Sequence, residues 1–201
     1  MKYLIINFLL FFVLSTAQAQ DSKWQLRADY YQPTGIATFT NETVNGFHFP
    51  RNWGFSVGAE RDWKRGNRSR WYQNATAGFY NDVYFERVTT LETGIGYNYR
   101  IFSGLYVGSE FNIGYNRAVS SNLISVREGE KWVSKVDNSV ATNRFTSGLT
   151  LQLGYDLGQH FAQLPLSITV GFGGQVVTPY LDGFPIFVYS QPRFGIKWRL
   201  N

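Results

Sequence analysis

The chain has 201 residues, a formal charge of +5, no cysteine and a single methionine, the initiator. Aromatic residues make up 18% of it and charged residues only 16%, against about 25% charged in ordinary soluble domains. This excludes a disordered chain, which would lack aromatics, and a disulfide scaffold or thiolate metal site; the mild positive charge gives no ground for nucleic-acid binding, and a mean hydropathy of -0.23 is not that of a helical membrane protein.

The first element in chain order is an export signal. Lys2, the apolar run from Leu4 to Leu14 and then Ser15-Thr16-Ala17-Gln18-Ala19 supply a charged start, a short hydrophobic stretch and an Ala-x-Ala cleavage site. The run falls well short of the roughly 20 residues that span a bilayer as a helix. Residues 1–19 are therefore expected to be a cleaved signal peptide and 20–201 the mature domain, and no cysteine follows the site to take a lipid.

From there on the sequence has a period of two, the signature of strands with two unlike faces. Weak alternation runs over 24–31. Segment 53–62 sets Trp53, Phe55, Val57 and Ala59 against Gly54, Ser56, Gly58, Glu60 and Asp62, and a weaker pattern follows over 70–80. Segment 89–100 opposes Leu91, Ile95, Tyr97 and Tyr99 to Glu92, Gly94, Gly96, Asn98 and Arg100. The clearest case is 105–116, with Leu105, Val107, Phe111, Ile113 and Tyr115 on one face and Glu110, Asn112, Gly114 and Asn116 on the other. Segments 145–157, 164–173 and 193–200 repeat the pattern, which predicts eight strands.

The polar face is rich in Gly and small polar residues rather than the Lys and Glu of a solvated surface. The interior of a narrow closed barrel needs such residues. Tyr and Trp near the ends of the apolar face would form interfacial girdles. The connections alternate as well: 64–68, 101–103 and 158–163 are short, while 32–51, 117–142 and 174–190 are long and 81–87 is intermediate. Outer-membrane barrels have short periplasmic turns and longer extracellular loops. The expected fold is thus an all-β, eight-stranded antiparallel up-and-down transmembrane β-barrel in the outer membrane, with both termini periplasmic.

In this pattern the sequence resembles the small eight-stranded outer-membrane barrels of Gram-negative bacteria, the OmpA/OmpX/OmpW-like type. The resemblance covers 24–200 and rests on no residue motif. Phe194-x-Ile196-x-Trp198-x-Leu200 is similar to the C-terminal strand signal of such barrels, but the chain ends in Asn201 instead of an aromatic. The Ala-Gln-Ala-Gln export junction is similar to those of Bacteroidota.

On this register the inward acids are Asp29, Glu60, Asp62, Glu92, Glu110 and Asp156, and the inward bases Arg27, Arg100, Arg144, Arg193, Lys197 and Arg199. A selective channel would carry an excess of one sign, so a filled, non-conducting interior is expected. The glycines in strands make packing room and form no phosphate-binding fingerprint. With only His48 and His160 and no cysteine, no metal site, cofactor or catalytic residue is expected.

The loops carry an apolar surplus. Phe39, Phe47, His48 and Phe49 in loop 32–51, and Tyr180, Leu181, Phe184, Ile186, Phe187 and Tyr189 in loop 174–190, are the candidate binding residues. Exposed apolar patches mark binding surfaces, although the same residues could pack as a lid or extend the strands. Loop 117–142 is charged and reads as a solvated hairpin extension. The turn holding Lys64, Arg65, Arg68 and Arg70 suits lipid phosphates or an acidic partner, and equally a solvated turn with snorkelling side chains. The expected function is a non-enzymatic accessory or scaffold subunit of an outer-membrane complex. Its expected surroundings are outer-membrane lipid and lipopolysaccharide, and its candidate partner is a larger outer-membrane protein. A hydrophobic-ligand barrel is the alternative. Lipid A modification, which would need His48 as base with Asp182 and Ser190 at the rim, comes third.

Overall fold

A computed structural model describes residues 24–35, 52–82, 86–120, 122–128, 131–137, 141–159, 164–179 and 186–200. The elements in chain order are β1 (Trp24–Tyr31), β2 (Thr34–Gly35), β3 (Trp53–Arg65), β4 (Ser69–Asp82), β5 (Glu86–Arg100), β6 (Leu105–Ser120), β7 (Asn122–Glu128), β8 (Lys131–Asp137), β9 (Ala141–Asp156), β10 (Leu166–Thr178) and β11 (Phe187–Arg199). A single 3₁₀ turn, Leu157–Gln159, follows β9.

Eight strands form the wall in the order β1-β3-β4-β5-β6-β9-β10-β11, and β1 pairs with β11 to close the barrel. Every neighbouring pair is antiparallel. The two-residue β2 adds to β11 above the end of β1, placing Thr34 opposite Ser190 and Gly35 opposite Tyr189. Closure leaves the wall without an unpaired edge, so each backbone group within it has a partner on a neighbouring strand. Strands β7 and β8 form a separate hairpin between β6 and β9.

The side-chain arrangement inverts that of a soluble domain. Leu91 and Leu151 on the outside are 61% exposed, whereas Glu60, inside, is wholly buried. Among the described residues the buried set consists mainly of Arg, Lys, Asp, Glu, Asn, Gln and Thr, with a few tyrosines. Such an arrangement is stable only where the outer solvent is apolar, because burial then rewards the outward Leu, Ile, Val and Phe.

Aromatic pairs mark both rims of this wall. Trp53 and Phe79 pack at 5.7 Å at one end, and Trp71 and Tyr97 at 4.8 Å at the other. The second rim also carries the tight connections. In the β5–β6 turn, Gly104 has φ +78°, a conformation that side chains resist, and Leu105 N–H donates to the Phe102 carbonyl at 3.1 Å. A register shift between Asp62 and Lys64 bulges β3 at this end; just before it Asp62 is buried on the inner face and Arg61 lies over the Trp24 ring at 5.7 Å.

Several strands run further than the apolar alternation, most of them at the opposite end. β6 reaches Ser120, β9 starts at Ala141, β10 reaches Thr178 and β11 starts at Phe187. Much of the segments 117–142 and 174–190, read as loops, is therefore strand. The charged part of 117–142 is the β7–β8 hairpin.

The wall makes a direct test. Phe111 lies midway along β6 and faces outward opposite Leu149. Phe111→Arg is expected to cost about 2–4 kcal/mol, and Phe102→Arg in the rim turn at most about 1 kcal/mol. Urea unfolding in lipid vesicles reads both; equal losses would contradict a lipid-facing wall.

Candidate functional site

The residue types that the wall excludes collect inside, where they form stacked polar layers. The lower layer centres on Glu60 of β3. Its carboxylate accepts from Lys197 Nζ of β11 at 2.7 Å, Arg70 Nη2 of β4 at 2.9 Å and Arg27 Nη1 of β1 at 3.4 Å. Arg27 also donates to Asp29 at 2.9 Å and to Glu110 of β6 at 2.6 Å, and Arg70 Nε donates to Asp62. Buried charge costs several kcal/mol per ion unless paired, and these groups pair one another.

Tyr72 of β4 stands in the middle of this layer. Its hydroxyl donates to Glu110 at 3.1 Å and accepts from Gln152 Nε2 of β9 at 2.8 Å. The Arg70 guanidinium lies 4.6 Å and Lys197 Nζ 5.2 Å from its ring centre, so the ring face is used as well. Gly96 on β5 makes this possible: a Cβ there would fall within the Tyr72 ring.

The middle layer is a chain of amides. Arg193 donates to Gln191 at 2.7 Å, Gln191 to Gln175 at 2.6 Å, and Gln175 to Glu92 at 2.6 Å. They border a void of about 10 Å³, at the lower limit for a single water. The upper layer pairs Arg144 Nη1 of β9 with Glu86 of β5 at 2.5 Å, and the Tyr189 hydroxyl donates to the same carboxylate at 3.0 Å. Tyr189, Tyr80 and Tyr31 follow edge to face, with ring centres 5.8 and 6.4 Å apart. Val88 and Ala118 pack against Tyr31 and Tyr80.

The lower mouth is different. Arg65, Arg68, Arg70, Arg100 and Arg199 surround a recess of about 50 Å³. Asp156 on its edge accepts from Arg199 at 2.8 Å.

Of the candidate binding residues, Phe39, Phe47, His48, Phe49, Tyr180, Leu181 and Phe184 lie outside the described residues. Ile186 is 61% exposed at the upper rim. Phe187 opens β11 and packs on Tyr189 at 4.8 Å. Tyr189 is not on a loop surface. Position 189 is inward on β11, so its ring is fully buried beneath the Glu86–Arg144 pair's end of the barrel.

The inward acids and bases read from alternation line the interior or its mouth. Arg70, Tyr72 and Glu86 are interior residues that the alternation does not single out. By composition Arg70 belongs to a turn and Glu86 to a connection, but continuing the even-numbered face of β5 from Glu92 through Thr90 and Val88 reaches Glu86.

These features define a small transmembrane β-barrel: eight antiparallel strands, closed and filled, apolar outside and ionic inside. No protein-family model matches the sequence, and no curated protein matches it either. Among solved structures it is similar to Neisserial surface protein A, NspA, with a TM-score of 0.52 at 11% identity, over 89% of this chain and 97% of that one. A major outer membrane protein from Thermus thermophilus aligns at TM-score 0.47 and 14% identity, over 90% and 100% of the two chains. Ail, the attachment invasion locus protein of Yersinia pestis, aligns at 0.47 and 9%, over 89% and 97%. At these identities the likeness is one of fold.

Removing one member of the lower layer strands the others. Glu60→Leu leaves Lys197, Arg27 and Arg70 facing one another, and is expected to lose about 3–5 kcal/mol. Adding Lys197→Met to that variant should restore part of the loss, a coupling that a double-mutant cycle in urea measures; strictly additive losses would show that the two groups do not act as a pair.

Proposed function

We propose that this protein is a closed, non-enzymatic outer-membrane β-barrel that serves as an accessory or scaffold subunit. In this reading both termini are periplasmic and the wall sits in outer-membrane lipid. Lipopolysaccharide surrounds the upper rim, and the connections between β2 and β3 and between β10 and β11 dock a larger outer-membrane protein. The observation that carries it is the filled interior. From the Glu60 cluster to the Glu86–Arg144 pair, oppositely charged and amide side chains occupy the space that a substrate or a permeating ion would need. A barrel without a lumen acts through its outer surfaces, and Ile186, just before β11 at the upper end, is exposed.

The same interior weighs against the hydrophobic-ligand reading. An apolar ligand in the upper barrel would have to displace the buried Arg144 and Glu86 and the tyrosines bonded and stacked beside them. The lipid A reading depends on His48, outside the described residues.

Extraction from the native membrane in mild detergent, followed by size exclusion and mass spectrometry, is expected to return the chain with a second, larger outer-membrane polypeptide. Tyr180→Ser with Phe184→Ser should release it. Recovery of the wild type only as a lone monomer would overturn the docking role. In planar bilayers the purified protein is expected to show no stable conductance, and steady ion-selective steps would contradict a filled barrel.

A further inference from the structure

The lower mouth carries charge that the barrel does not use. Arg70 is engaged by Glu60 and Asp62, and Arg199 by Asp156. Arg65 approaches a carboxylate, that of Asp62, only at 3.8 Å. Among the described residues no carboxylate pairs with Arg68 or Arg100, and the buried Nε of Arg199 has no acceptor. Arg199, Arg70 and Arg100 all lie close enough to Arg65 to repel it. A cluster of like charges costs free energy unless an anion joins it.

The backbone holds the cluster together. Gly66 N–H donates to the Ser69 carbonyl at 2.7 Å, which closes the β3–β4 turn, and Arg100 N–H donates to the Arg68 carbonyl at 2.7 Å, which ties that turn to the end of β5. Arg68 and Arg100 are thus brought side by side by main-chain bonds rather than by their own mobile side chains. Guanidinium forks suit tetrahedral oxyanions, which they bind through paired N–H donors. The recess, about 50 Å³, is several times the least space that holds a water. It lies at the level of the Trp71–Tyr97 pair and of Trp24, over which Arg61 stacks at 5.7 Å. Aromatics of this kind sit at the headgroup level of a bilayer.

We propose that the arginine recess at the short-turn end of the barrel is a phosphate-binding site, with Arg68 and Arg100 as its principal anion ligands and Arg65 and Arg199 closing around them. The phosphate comes either from a phospholipid headgroup at that membrane face or from a soluble phosphate compound beside it. This site is separate from the docking loops and stands whether or not those loops bind a partner.

The test uses the full barrel in dodecyl maltoside micelles, which carry no phosphate. In one arm inorganic pyrophosphate is titrated and followed calorimetrically. In the other, a small fraction of phosphatidylglycerol is included and its retention on the protein is read by native mass spectrometry. Saturable binding in at least one arm, weakened by salt, is expected. Arg68→Gln with Arg100→Gln should weaken it about tenfold or more, the loss of charge-assisted hydrogen bonds. Arg117→Gln, exposed at the other end on β6, should leave it unchanged. Pyrophosphate binding assigns a soluble ligand, and lipid retention alone assigns a headgroup. Absence of binding in both arms overturns the site, as does equal loss in the Arg117 variant. Neither Arg68 nor Arg100 belongs to the interior ion pairs, and unheated electrophoretic mobility confirms that the variant barrels are closed; Arg68→Gln alone gives the same reading should the double variant fail to fold.

Discussion

One carboxylate ties the walls of this barrel together. Glu60, on β3, meets cations from β1, β4 and β11. Through Arg27 the contact passes on to Glu110 of β6, and through Tyr72 to Gln152 of β9. Six of the eight wall strands thus converge on a single hydrogen-bonded cluster that crosses the lumen. Backbone ladders hold neighbouring strands, but they say nothing about strands on opposite sides. A cluster of paired charges does, because each ion is desolvated and every displacement leaves a partner unpaired. The small residues of the inner face follow from it: Gly96 leaves room for the Tyr72 ring, and Gly108 and Gly154 leave room for Asn98 and Tyr106.

Alternation along the chain was enough to read this inversion, because outward Leu, Ile and Phe alternate with inward polar or small residues. It gave the eight strands and a charge-balanced interior. It failed where strands leave the apolar layer. On β5 the outward positions become Arg87 and Thr89, on β6 Arg117, and on β9 Asn143, all exposed. The hydrogen-bonded ladder continues past them, as in the Arg87–Val119 and Arg117–Asn143 pairings. A polar residue on both faces erases the period-two signal without ending the strand. Glu86 was lost to this effect, and with it the upper ion pair; Tyr189 was lost because Phe187 and Val188 put apolar residues on both faces of β11 beside it. Arg70 was lost for a different reason. Its neighbours Lys64, Arg65 and Arg68 make the local composition that of a solvated turn, and only the fold shows Arg70 reaching back to Glu60 and Asp62.

The two ends of the barrel handle charge in opposite ways. At the upper end Arg144 and Glu86 pair with each other beside the buried Tyr189 and Tyr80. At the lower end the surplus is guanidinium, with Asp156 and the half-shared Asp62 as its counterweights. Around the recess Arg70 and Arg199 are ion-paired, whereas Arg65 reaches Asp62 only at 3.8 Å and Arg68 and Arg100 pair with no carboxylate among the described residues.

That they persist around a recess fixed by main-chain bonds is more economically explained by an external anion than by solvation alone. Arg65 and Arg68 are themselves exposed, so water meets part of their charge. Here the turn and the end of β5 are bonded so that Arg68 and Arg100 start from adjacent backbone positions, and Arg199 arrives from β11 with its Nε already buried. Among the described interior acids, Glu60 is taken by Arg27, Arg70 and Lys197, and Asp62 bonds Arg70 through one oxygen and leaves the other 3.8 Å from Arg65. Among the described residues one carboxylate, Asp156, lines the recess against five arginines, so an added anion would offset the excess at the level of the Trp71–Tyr97 pair.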